Sequence, residues 1–97
     1  MSPSAKDVLV NELLKRGFVR RNNGLASPQD TMLFDDEYLS QIGLADFLET
    51  IVSRREKIFH SVQVVGSDTA RQGYADVVAV IEAVKSVIGQ LDAGMIP

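Results

Sequence analysis

Three groups of side chains in this sequence are of types that carry chemistry. The first is a single imidazole, His60. With one histidine and no cysteine, neither a two-histidine nor a thiolate zinc site can form within one chain. His60 follows Phe59, and it reads as a boundary residue or as a pH-sensitive contact. The second group is the acidic run Asp30, Asp35, Asp36 and Glu37. A calcium loop needs oxygen ligands at alternating positions, a central glycine and a closing glutamate. Met32-Leu33-Phe34 fills the middle of this run instead, so the acids are expected at a helix start, where the dipole favours negative charge.

The third group is basic: Lys15, Arg16, Arg20 and Arg21 around Phe18. Clustered bases neutralise phosphates or meet a partner's acidic surface. Residues 15–24 are therefore a candidate contact for nucleic acid or a protein, in a regulatory or inhibitor role. Residues 1–27 hold five bases against two acids, a net +3, and residues 28–50 hold six acids and no base, a net −6. Opposite patches in one chain either fold back on each other or steer a neighbour into place. The overall charge of −3 weighs against nucleic acid as the main partner.

No phosphate-binding glycine loop, Walker lysine or nucleophile-elbow serine occurs in the sequence. The expectation is a non-enzymatic protein with no cofactor and no metal. The N-terminus lacks the apolar core of a signal peptide, and no apolar stretch approaches the ~20 residues of a membrane span. A cytoplasmic or virion-associated location is expected, with no membrane contact.

The elements that position these groups follow from periodicity. A single small domain of 97 residues is expected. The first helix is placed at about 3–16. Ser2 or Ser4 caps it, Val8, Leu9, Leu13 and Leu14 form its stripe, and Gly17 is its stop. Residues 17–34 read as irregular. Their turn signals are Asn22-Asn23-Gly24 and Ser27-Pro28-Gln29-Asp30, and a small β-hairpin pairing 18–21 with 24–27, or a helical turn through 28–34, is expected there.

Asp35 and Asp36 form an N-cap pair. From there a helix runs to about 65, with Gly43 as a kink or a break, and a seam steps along 44, 48, 51, 55, 58, 62 and 65. Gly66 and Ser67 separate it from a last helix of about 68–92. The fold class expected is all-α: a long antiparallel helical hairpin (36–65 and 68–92) with residues 1–34 as an arm.

The last helix has apolar and small residues around more than half of its circumference. Either helix 3–16 or another chain must cover the second face. A partner interface is expected at Ala75, Ala79 and Ala83, where small side chains admit a close helix. Val80, Val87, the apolar tail Met95-Ile96 and the seam residue Arg55 are expected beside them. The functional expectation is an assembly module, a protein partner or homo-oligomer, in the manner of a small subunit of a symmetric particle such as a bacteriophage.

Overall fold

The computed structural model describes residues 4–64 and 68–94, with the backbone alone over 61–64. Seven elements follow in order: α1 (Ala5–Lys15), β1 (Val19–Arg21), β2 (Gly24–Ala26), β3 (Leu33–Asp35), α2 (Asp36–Gln41), α3 (Leu44–Val64) and α4 (Asp68–Asp92). The chain is predominantly helical, but the all-α expectation is corrected: β1, β2 and β3 form an antiparallel sheet in that order.

Ser4 caps α1 with a reciprocal capping box. The Asp7 amide donates to Ser4 Oγ at 3.2 Å, and the Ser4 amide donates to Asp7 Oδ2 at 3.4 Å. Together they satisfy two N–H groups that the first turn leaves without helical partners. Of the two serines weighed as caps, Ser4 serves. Val8, Leu9 and Leu13 are buried, but Leu14 stands 36% exposed and Glu12 takes its place on the inner face. Gly17 ends the helical region with φ +97°, and a Cβ there would lie 3.1 Å from Pro28 Cγ.

The hairpin is real, with Val19 opposite Ala26 and Arg21 opposite Gly24, turning through Asn22 at φ +47°. The expected helical turn through 28–34 is not formed. The chain turns at 28–31, with Asp30 at φ +59°, and then runs out as β3, pairing Leu25 with Phe34. Gly24 serves a different need from the turn predicted for it. It lies in the central strand, where a Cβ would come 2.5 Å from the Phe34 carbonyl oxygen. Any other residue there forces β3 away.

Of the kink and the break weighed at Gly43, the break is found: residues 36–64 form two helices, α2 and α3. Ile42 sits between them with extended backbone, φ −83° and ψ 138°. The Asp35–Asp36 cap is also different from expectation. Asp35 holds the N-cap position without a side-chain cap bond, while the Asp36 amide donates to the Asn23 carbonyl at 2.7 Å. The helix start is thereby fastened to the β1–β2 turn.

α4 is the centre of the fold. Ile58 packs over Gly73, the rings of Phe59 and Tyr74 are 5.8 Å apart, and Leu48 and Ile88 wall one hollow. As residue numbers rise along α3 they fall along α4, so the two pack antiparallel; the linking residues 65–67 lie outside the described residues. α1 packs on a second side of α4. Residues 5–35 are therefore not an arm, and their Leu13, Phe18, Leu25 and Phe34 share one core with Phe47, Ile51 and Val84. An aromatic chain ties the sheet to the helices: Phe18 stacks on Phe34 at 6.1 Å, and Phe34 meets Phe47 edge-on at 5.3 Å.

Candidate interaction surface

The four basic residues singled out in the sequence are paired with acids of the same molecule. Arg16 donates to Glu12 Oε2 at 2.6 Å, and Lys15 reaches Glu12 Oε1 at 3.4 Å. Arg20 lies 3.7 Å from Asp36, and Arg21 lies 3.3 Å from Asp30. The basic segment thus folds back onto acids, two of them in the acidic middle. The Arg20 and Arg21 pairs are solvent-exposed and contribute on the order of 0–1 kcal/mol each. They offset part of the positive charge a phosphate backbone would meet without adding much stability. His60 is exposed on α3. Among the described residues no three His, Asp or Glu side chains are grouped to hold a metal ion.

Glu12 is buried at the α1–α4 contact, where Gln90 Nε2 also donates to it at 3.5 Å. The Arg16 hydrogen bond lowers its pKa below the usual glutamate value of 4.5, against an opposing push from burial.

The most elaborate polar cluster involves a residue not picked out in the sequence, Asp76. It is 1% exposed, on the inner face of α4. Ser27 Oγ donates to its Oδ2 at 2.6 Å and Thr31 Oγ1 at 2.7 Å, while the Gln29 amide donates to Oδ1 at 3.1 Å. Ser27 Oγ in turn accepts from the amides of Thr31 (3.0 Å) and Met32 (3.1 Å). Every contact on the carboxylate is a donor from the turn between β2 and β3. The cluster holds that turn and leaves no open position for a substrate. A signal was present in the sequence: Asp76 falls on the same helical stripe as Gly73, Val77, Val80 and Val84, where an acid is tolerated only with partners.

The expected partner interface needs correction. Val80, Ala83 and Val87 are 0% exposed within the single chain, because α1 and α3 together cover α4. They are core, not docking surface. Ala75 is exposed and Ala79 half-buried, so the small-residue ridge surfaces only at one end. Met95 and Ile96 lie outside the described residues. Arg55 is half-buried on α3.

The apolar surface left open lies elsewhere, on the outer side of α3. Ala45, Leu48, Val52, Arg55 and Phe59 recur at alternating three- and four-residue steps, the spacing of one helix face. Ala45 is exposed, Leu48 and Val52 half-buried, and Phe59 46% exposed. Leu44, Ala45, Leu48, Glu49 and Val52 of α3 with Ile88 of α4 line an open hollow of about 560 Å³. A second hollow, of about 380 Å³, lies between the sheet and α3, and Leu33 at its rim is 62% exposed. No helix among the described residues is long and apolar enough to cross a membrane. No protein-family model, curated protein or solved structure matches the chain.

Proposed function

We propose that this chain is a non-enzymatic protein-interaction module that docks through the outer face of α3 and the adjoining edge of α4. The observation that carries this reading is the open hollow lined by Leu44, Ala45, Leu48, Val52 and Ile88, continued along the same face by the exposed Phe59 ring. A helix laid into such a groove buries apolar side chains at the spacing α3 itself displays. The rim is polar, with Glu49 at the hollow and Glu56 farther along, and a polar rim around an apolar centre is the anatomy of a protein interface.

Two features support a binding role over a catalytic one. The buried carboxylates are committed to the fold, Asp76 to the 27–32 turn and Glu12 to the α1–α4 contact. The described hollows place no acid–base pair around an enclosed space. The basic segment 15–24 is the weaker docking surface, because its cations face acids of the same chain.

Affinity capture with tagged wild type and Leu48→Glu, from the organism that encodes the chain or from a pure preparation of it, tests the reading. Wild type should hold a partner, another copy or a different protein, that Leu48→Glu loses at least about tenfold, one buried anchor's worth. Identical capture by the two proteins, or a partner lost only on Arg20→Glu/Arg21→Glu, removes the α3 face from the function.

A further inference from the structure

The outer face of α3 is complementary to itself. Glu49 lies toward the N-terminal end of this face, and Arg55, with Glu56 beside it, toward the C-terminal end. At its C-terminal end the Phe59 ring rests with one side near Tyr74 of α4, at 5.8 Å, and is 46% exposed on the other. At its N-terminal end the small side chain of Ala45 opens the hollow bounded by Leu48, Val52 and Ile88. One end is a knob and the other a hole, about 21 Å apart at 1.5 Å per residue.

We propose that the occupant of this face is a second copy of the chain, its α3 antiparallel to the first and related to it by a two-fold axis near Val52. This rests on the docking face proposed above and names its partner. In an antiparallel pair centred on Val52, positions equally far from it in opposite directions meet. Residue 59 of one copy then faces residue 45 of the other, and the Phe59 ring enters the hollow. Residue 49 faces residue 55, so Glu49 of each copy meets Arg55 of the other. A two-fold axis makes each contact twice, as an isologous interface requires. A parallel pair brings Glu49 onto Glu49 and Arg55 onto Arg55, and leaves both hollows unfilled. Charge and shape therefore select the same orientation. Val52, half-buried in one chain, is covered at the axis.

The test is the light-scattering mass of the full chain from about 1 µM to about 1 mM, a range that brackets the affinity of a small interface. The expected result is a rise from the 10.6 kDa of one chain to twice that mass. Phe59→Ala should weaken the dimer about 30-fold, since a two-fold axis removes an aromatic anchor twice, with helix content retained by circular dichroism. Glu49→Arg and Arg55→Glu should each weaken it about tenfold, and the double variant should return to within about threefold of wild type. A mass of one chain throughout the range overturns the proposal. So does a dimer indifferent to Phe59→Ala, or a double variant no better than the singles. A monomer whose capture of a different protein still depends on Leu48 overturns the second copy alone; a monomer without such capture removes the docking face as well.

Discussion

The inner and outer sides of the α3–α4 layer treat their residues in opposite ways. On the inner side, α4 offers Val77, Val80, Ala83, Val84 and Val87, all at 0% exposure, and even its acid is sealed. Asp76 receives side-chain and amide donors from the 27–31 turn, and no buried side-chain nitrogen or oxygen among the described residues lacks a partner. On the outer side, Leu48, Val52 and Phe59 follow the same helical spacing without the same cover. The residues most like a catalytic cluster are those most completely used by the fold, and the docking surface proposed above is built from residues with no chemistry of their own. Burial of a polar group with every partner supplied marks a structural joint. Apolar surface left open marks a contact still to be made.

That contrast can be broken experimentally. The largest effect is expected at the inner joint. Asp76→Ala removes the acceptor and strands Ser27, Thr31 and the Gln29 amide inside the protein. A loss of about 3–5 kcal/mol in urea unfolding is expected, because each buried donor left without a partner costs about 1–3 kcal/mol. A loss under about 1 kcal/mol means that water reaches the turn and that the joint is not sealed.

A smaller effect is expected at the α1–α4 contact. The folded-state pKa of Glu12 lies below its unfolded value of about 4.5, through its hydrogen bond with Arg16. The stabilisation is fully present above the unfolded pKa and is lost as pH falls through the lowered, folded one. Wild type should therefore lose stability on acidification below about pH 4.5 more steeply than Glu12→Gln. Parallel pH profiles for the two proteins remove Glu12 as a contributor.

The smallest stability effect is expected on the outer side. Leu48→Glu should change the unfolding free energy of the isolated chain by less than about 1 kcal/mol, since Leu48 is only partly buried at the margin of the core, where a longer side chain can turn its charge to water. A loss comparable to that of Asp76→Ala would make the outer face part of the core and erase the distinction.

Much of the local structure was legible in the residues. The start of α1 was narrowed to Ser2 or to Ser4 with Asp7, of which the second pair is the cap, and its end followed from Gly17 at positive φ. The β1–β2 hairpin followed from Asn22-Asn23 between short extended runs. The β3 strand was missed because Leu33-Phe34-Asp35 is too short to show alternation, and its pairing partner β2 lies on the far side of a turn fastened in part by the distant Asp76. The partner interface was misplaced for a related reason. Periodicity showed that α4 was apolar on most sides, but not that α1 would cover the second of them.

Local residue patterns specify which segments are helical, where several of them start and stop, and that α4 must be enclosed. Capping, turn geometry and hydrophobic period act over a few residues, and one chain carries them in full. Only the tertiary structure decided who encloses α4, which acids meet the basic segment, and that the uncovered face belongs to α3. Those outcomes depend on contacts such as Asp76 with Ser27, 49 positions apart, and no local pattern encodes which distant surfaces will meet.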